Sequence, residues 1–297
     1  MRRTAEKPKT AHSFRLPAVL IFILLFIHLA FAEDPGTRSF AFLKIPASAR
    51  LAAMNGASAL WEGRDCWRVN PAMLAFKQER AASFSQNAWY MSTKQNAASV
   101  NAGHFGLSWQ NYSFEDTARD AAGEKLGDFT DRYGVLSMSY GLRLKRYTVT
   151  GVTYKQLSQK IYGNDYNHHA WDIGFLTQPS RTTAFGAVVE NFGGKKKIIN
   201  EKEELPRSLQ IGALQKMGRF YLVSEVKLTG YEKIQYLLGI EFKRQKNLTL
   251  RIGSSYQDDL NLSFGLGWQD GGYFADFAFL PHGALGYAYI TSVGVKF

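Results

Sequence analysis

His168 and His169 are the one pair of neighbouring histidines in the chain. On a strand, successive side chains point to opposite faces, so these two cannot hold one metal ion together. No spaced set of cysteine, histidine and carboxylate accompanies them. Cys66 is the single cysteine. It excludes an internal disulfide and reads as a small buried apolar residue beside Trp67 rather than as a nucleophile. Gly193-Gly194-Lys195 lacks the spacing and the Ser/Thr of a phosphate loop, and no G-x-S-x-G elbow is present. Asp258-Asp259 sits at a turn, where carboxylates are solvated. No acid–base constellation assembles from these residues, so the expectation is a non-enzymatic protein without metal or cofactor.

The more informative polar side chains are Asp172, Glu190, Glu225, Lys227, Glu241, Lys243, Arg251, Asp276 and Lys296. Each stands out of phase with an apolar series. Asp172 alternates with Trp171, Ile173 and Phe175, and Glu190 with Phe185, Ala187 and Val189. Glu225 and Lys227 alternate with Phe220, Leu222, Val226 and Leu228. Glu241 alternates with Ile234, Tyr236, Leu238, Ile240 and Phe242, and Arg251 with Leu248, Leu250, Ile252 and Tyr256. Period two is the signature of a strand with one apolar and one polar face. Charges of both signs on the polar face are expected to pair, since burying a lone charge is costly. The plain reading of these residues is structural; the sharper one is a path for a solute.

The elements that carry them recur from about Ala81 to Phe297 with almost no helix between. Leu260, Leu262, Phe264, Leu266 and Trp268 alternate, and Tyr287, Tyr289, Val293, Val295 and Phe297 close the chain on one phase. Gly218-Arg219, Lys246-Asn247 and Asp270-Gly271-Gly272 are tight-turn chemistry. The connectors Phe114 to Asp128, Tyr162 to His168 and Gly193 to Pro206 read as long and polar. Short turns alternating with long loops belong to a barrel with two unlike ends. The fold expected is all-β: a transmembrane antiparallel barrel of about 14 strands of roughly 9–11 residues, the length that crosses a bilayer at a tilt. Tyr221, Tyr231, Tyr236, Tyr256, Tyr273, Tyr287 and Tyr289 are placed at strand ends as an aromatic girdle. The rival is a soluble secreted β-sandwich, which also alternates.

Residues 1–32 read as a cleaved signal peptide: a basic start, an apolar run from Leu16 to Phe31, and Ala30-Phe31-Ala32 as the cleavage pattern. Removing this leader's net +4 from the formal +11 leaves +7. That excess is scattered apart from Lys195-Lys196-Lys197, read here as a solvated loop, and a nucleic-acid partner is not expected. Residues 33–78 do not alternate. Ser48-Ala49-Arg50-Leu51-Ala52-Ala53-Met54 is helix-prone with Gly56 as its stop, and Asn70-Pro71-Ala72 turns into a second short helix. Residues 33–78 are thus a separate N-terminal segment, for which the resemblance described next implies the role of a plug; residues 79–297 are the barrel.

Ser39 to Ala57, which includes Ser48, Ala49, Arg50 and Gly56, resembles the N-terminal motif of the PorV/PorQ family. Asn70-Pro71-Ala72-Met73-Leu74 resembles that family's Asn-Pro-Ala motif. Val188 to Gly194 with Leu205 to Gly212 is similar to its central strand pair, and Phe264 to Gly267 with Asp276 to Phe279 to its last hairpins. Asn55 stands where a second glycine is common, and Glu62 to Cys66 departs from the usual run. The resemblance implies a bacterial outer-membrane barrel related to the long-chain fatty acid transporters (FadL-like), with the N-terminal segment inside the lumen. It makes Tyr289, Val293, Val295 and Phe297 the strand signal read by the barrel assembly machinery. It also implies plug contacts from lumen charges to Arg50, Arg64 or Arg68. Two functions follow. The first is an accessory of protein secretion of the type IX kind, or of cell-surface assembly, working through partner proteins. The second is a FadL-like transporter of a hydrophobic ligand. Outer-membrane lipid is the surrounding partner in both.

Overall fold

A computed structural model describes residues 40–57, 63–88, 93–120, 122–161, 164–193, 196–198, 201–230, 232–283 and 286–297. The expected signal peptide, Tyr231, Gly194 and Lys195 lie outside them. In chain order the strands are β1 (Arg80–Ala88), β2 (Lys94–Ala102), β3 (Phe105–Arg119), β4 (Lys125–Lys145), β5 (Thr148–Ile161), β6 (Asn164–Thr177) and β7 (Thr183–Phe192). A small hairpin follows, β8 (Lys196–Ile198) and β9 (Glu201–Glu203). Then come β10 (Ser208–Met217), β11 (Phe220–Thr229), β12 (Gln235–Lys243), β13 (Leu248–Tyr256), β14 (Leu260–Asp270), β15 (Tyr273–Pro281) and β16 (Tyr287–Lys296). All but the hairpin pair form one closed barrel of 14 strands. Every pair is antiparallel, and β16 closes the ring on β1, with Ser85 opposite Ser292. Closure leaves no strand edge unpaired, which a wall facing lipid requires.

The even strand number brings β1 and β16 to the same end. At that end the turns are 103–104, 146–147, 178–182, 218–219, 244–247 and 271–272. The other end holds the larger loops, including 193–207 with its hairpin. The polar connectors read from the sequence are shorter than expected. Phe114 to Arg119 and Lys125 to Asp128 are strand, as are Asn164 to His168. A polar stretch still pairs as strand, because the ladder hydrogen bonds need no apolar face; Phe114, Tyr166 and His168 of these stretches turn inward to the lumen. β4 accordingly has 21 residues and, with β3, β5 and β6, projects past the rest of the wall at the loop end.

The outer face carries Phe105, Leu107 and Trp109 on β3, Met138 and Leu142 on β4, and Ile252, Phe264 and Phe277 further round, all exposed. An apolar belt of this extent has no protein layer over it and is the surface that lipid solvates. Tyr236, Tyr256, Tyr273, Tyr287 and Tyr289 are exposed at its margins. Tyr221 differs: it is partly buried against the interior core, and its phase puts it inside rather than in a girdle. No helix among the described residues is long and apolar enough to cross a membrane.

The lumen is filled by residues 40–57 and 63–78. A 3-10 turn, Ala41–Lys44, leads to α1 (Ala49–Ala53), a second 3-10 turn, Cys66–Arg68, and α2 (Ala72–Lys77). Gly56 stops α1 with φ +85°, and Asn55 precedes it at φ 49°. Asparagine tolerates this left-handed backbone better than most residues, so it serves where a glycine is common.

Two rows of glycine in the wall receive the two helices. Gly141, Gly151 and Gly174 stand opposite one another on β4, β5 and β6. A Cβ on Gly151 would lie 2.4 Å from the Pro71 carbonyl carbon, and one on Gly174 2.0 Å from Asn70 Oδ1. On the far wall Gly239 faces Gly253, and a Cβ on Gly253 would lie 2.4 Å from the Met54 carbonyl carbon. The plug backbone therefore touches the wall backbone directly. Gly151→Val is expected to leave the barrel folded and unseat α2. Heat-modifiable migration should persist, and limited proteolysis should cut within residues 63–78, which stay protected in the parent.

Candidate functional site

The candidate site is the interface between plug and wall. Ser48, the residue before α1, is fully buried, and Ala49 N–H donates to Ser292 Oγ at 2.8 Å. Ala49, Ala52 and Ala53 pack against Ala278, Leu280, Ala288 and Ile290. Ser263 Oγ donates to the Ala53 carbonyl at 3.0 Å, and Gln210 Nε2 to the Gly56 carbonyl at 2.9 Å. Asn70 is fully buried and works in both directions. Its Oδ1 accepts the Ala72 N–H at 3.1 Å, which starts α2, and its Nδ2 donates to the Phe175 carbonyl at 3.3 Å. Pro71 supplies the fixed φ of −62° that enters the helix.

The lumen charges form two separate groups. In the first, Arg50 of α1 donates to Glu241 at 3.0 Å, and Arg251 holds Glu241 at 2.8 Å and Asp276 at 2.7 Å. Arg64 of the plug closes the chain on Asp276 at 3.1 Å. Four side chains of β12, β13 and β15 and of the plug's first half thus alternate in sign, and Arg64 continues the series. In the second, Lys155 pairs with Asp172 at 2.7 Å and Lys227 with Glu190 at 3.1 Å. Glu225 is buried and takes a hydrogen bond from Gln210. Among the described residues Arg68 makes no ion pair; its Nη1 donates to the Ala47 carbonyl at 3.1 Å, so it braces the plug against itself. Pairing across the plug–wall seam matters because an ion buried alone costs several kcal/mol.

Burial opposes the charge of Arg50, but Glu241, with Asp276 and Asp65 behind it, outweighs this and holds the guanidinium more firmly charged than usual. Cys66 is buried beside Trp67, and burial pushes its thiol up to about 12. At neutral pH it is a thiol, unreactive and packed.

Towards the loop end the lumen is aromatic. Phe40 and Phe42, at the plug's first described residues, lie among Tyr112, Val135, Leu157, Ala170 and Leu205. The Phe42 ring is 4.5 Å from that of Tyr112 and 4.8 Å from that of Tyr133. His168 points inward to the edge of Phe40, and His169 outward against Tyr154. Below them a cavity of about 90 Å³ is lined by Arg68, Lys155, Glu190 and Lys227. On the lipid side a depression of about 550 Å³ is lined by Phe185, Ile211, Ala213, Val226, Tyr236 and Leu238. Its floor is Gly212, with the Glu225 side chain behind it; a Cβ there would lie 2.4 Å from Glu225 Cγ. Asp258, read as solvated, is exposed and paired with Lys233. Among the described residues no three His, Cys, Asp or Glu side chains converge on a metal position.

Tyr289 and Val293 face outward on β16, and Phe297 is exposed at the turn end, its N–H donating to the Arg80 carbonyl at 3.2 Å. Sequence reading did not find the aromatic lumen cluster, because Phe40 and Phe42 stand in a segment without period. It also missed the inward Ile290, which breaks the polar phase of β16.

A closed barrel, apolar outside and plugged inside, defines a membrane-spanning barrel with a sealed lumen. The chain matches no family model, and no curated protein matches it. Solved structures do. One is the TodX monoaromatic hydrocarbon channel carrying the deltaS2S3 mutation, at TM-score 0.65 and 14% identity over 84% of this chain and 99% of that one. The Pseudomonas putida toluene transporter TodX aligns at TM-score 0.60 and 12% identity, over 84% and 98%. A Pseudomonas aeruginosa FadL homologue aligns at 0.58 and 10%, over 85% and 98%. At these identities the likeness shows a shared fold. The motif resemblance to the PorV/PorQ family stands on the sequence alone.

Two outcomes follow. Glu241→Gln removes the carboxylate that Arg50 and Arg251 share, leaves Arg251 to Asp276, and should cost about 3–5 kcal/mol of plug docking or barrel stability, read by denaturant titration in detergent. Cys66 should resist maleimide at pH 8 in the folded barrel and label fully once the chain is unfolded.

Proposed function

We propose that this chain is a bacterial outer-membrane channel for small hydrophobic molecules, in which the plug must shift before anything crosses. The observation that carries this reading is the aromatic lumen site held by Phe40 and Phe42. The lumen is apolar elsewhere too, where Leu51, Met54, Met73 and Leu74 of the plug meet Val149, Leu176 and Leu214 of the wall. The loop-end half differs in offering ring faces, at present occupied by the plug's own phenylalanines. A hydrophobic solute arriving from the loop end competes with those two phenylalanines. Displacing them removes part of the contact that keeps residues 40–57 seated. The depression over Gly212 gives a second apolar surface where the wall is thin, and it supports a lateral way out into lipid.

The likeness of fold to barrels described as a monoaromatic hydrocarbon channel and a toluene transporter supports this assignment over a secretion accessory. The exported route through residues 1–32, the assembly signal at Phe297 and the seating role of Ser48 to Ala72 belong to the same proposal. The accessory reading keeps one favouring feature, the projecting ends of β3 to β6, which present an extended surface to partner proteins.

The test is a reversible lock. A Cβ on Gly239 would lie 3.3 Å from Ala57 Cβ, near the roughly 3.5–4.5 Å of a disulfide, and 2.3 Å from Met54 Cε, so Met54→Ala is made in the same chain to clear the space. Ala57→Cys/Gly239→Cys therefore ties the plug to β12, and buried Cys66 stays out of the exchange. Proteoliposome uptake of radiolabelled toluene should stop when the pair is oxidised and return on reduction. Equal uptake in both states, or none by the parent, contradicts the proposal.

A further inference from the structure

The turn end of the barrel carries an excess of positive charge that passage of an apolar solute does not use. Its six turns contain Arg146, Arg181, Arg219, Arg244 and Lys246, and no carboxylate. Within this mouth a cavity of about 190 Å³ lies between the plug and β12–β14. Its lining cations outnumber its lining carboxylates seven to two. Those two are already engaged. Glu241 is held by Arg50 and Arg251, and Glu79 lies 3.5 Å from Lys296 and 3.7 Å from Lys77. Adding Asp276 behind Arg64 still leaves an excess of four positive charges among the described residues.

Several donors are left over. The Arg64 side chain is 9% exposed and its guanidinium lies 3.9 Å over the Phe274 ring; its Nη groups reach Asp276 and Gln269, while among the described residues its buried Nε has no hydrogen-bond partner. Lys243 is exposed and donates to the Tyr221 phenol at 3.1 Å. Lys246 is exposed and, among the described residues, pairs with no carboxylate. Like charges held together around one space repel, and a structure tolerates them most readily where an anion neutralises them. Guanidinium forks beside flexible ammonium groups suit phosphoryl oxygens. At roughly 30 Å³ per water the cavity has room for about six waters, which admits a diphosphate and excludes an acyl chain.

We propose that this cavity is a binding site for a multivalent phosphoryl anion, bridging Arg50 and Arg64 of the plug to Lys243, Lys246, Arg251 and Lys296 of the wall. A bridging anion adds bonds that exist only while the plug is docked, so it favours the sealed state. The anion is either a soluble phosphorylated compound or the headgroup of an anionic phospholipid in the adjoining leaflet.

Isothermal titration of the full barrel with inorganic pyrophosphate, in phosphatidylcholine nanodiscs at 0.15 M salt, tests it. One saturable site per barrel is expected. Lys243→Glu/Lys246→Glu should weaken it at least tenfold. Lys145→Glu/Arg146→Glu, on the opposite side of the same mouth, should leave it within twofold. Heat-modifiable migration checks that both variants fold. Absence of saturable binding by the parent overturns the site. An equal loss in the two variants also overturns it, because attraction then belongs to the ring of charge as a whole. Nanodiscs of phosphatidylglycerol identify the source. A severalfold weaker pyrophosphate affinity that the Lys243/Lys246 variant abolishes assigns the site to a lipid headgroup; an unchanged affinity assigns it to a soluble phosphate. The isotherm is independent of what crosses the barrel, so it stands or fails apart from the channel reading.

Discussion

A buried charge must be neutralised where it lies, and in this barrel the neutralising partner of a wall residue is often on the plug. Glu241 and Asp276 are nearly inaccessible to water and share three guanidinium groups, two of which enter with residues 40–78. Without Arg50 and Arg64, Arg251 alone would face two carboxylates in a desolvated lumen. The cost of that arrangement is of the order of several kcal/mol, comparable to the whole margin of a folded domain. The plug is thus part of the wall's electrostatics as well as a stopper, and the seam between them is where movement is most strongly opposed.

Close approach makes that pairing geometrically possible. Arg50 sits on α1, five residues long, and so short a helix does not persist by itself. It is held because its alanines lie flat on Ala278 and Ala288 and its following turn sits on the Gly239–Gly253 row. The Gly141–Gly151–Gly174 row does the same for Asn70, Pro71 and α2. Small residues on both surfaces bring backbone to backbone, and the side chains of Arg50, Arg64 and Asn70 then reach their partners. At the loop end the contact is mainly aromatic, with Lys44 of the plug paired to Glu232 beside it.

Much of this was legible in the sequence. The alternation of β12, β13 and β15 puts Glu241, Arg251 and Asp276 inside, because period two survives wherever one face meets lipid. Ser48 to Gly56 and Asn70 to Ala72 announced two short helices through a stop and a fixed φ. The glycines were visible as a small-residue phase, but pairing register decides which of them line up, and register depends on strand neighbours far apart in sequence. The strand character of Phe114 to Arg119 was hidden because residues beyond the membrane carry no apolar phase. Phe40 and Phe42 gave no signal at all: their role is set by Tyr112, Tyr133 and Leu205 on three different elements. Val223 and Leu237 point inward to the plug core, against the polar reading of that face.

On the channel proposal, the plug seals a lumen that conducts once the plug is removed. Planar-bilayer recording of the full chain beside a chain lacking residues 40–76 measures this directly. The account predicts a silent or rarely opening full-length barrel and stable, ohmic steps from the shortened one. Equal conductance in the two, with both inserted and heat-modifiable, would contradict it.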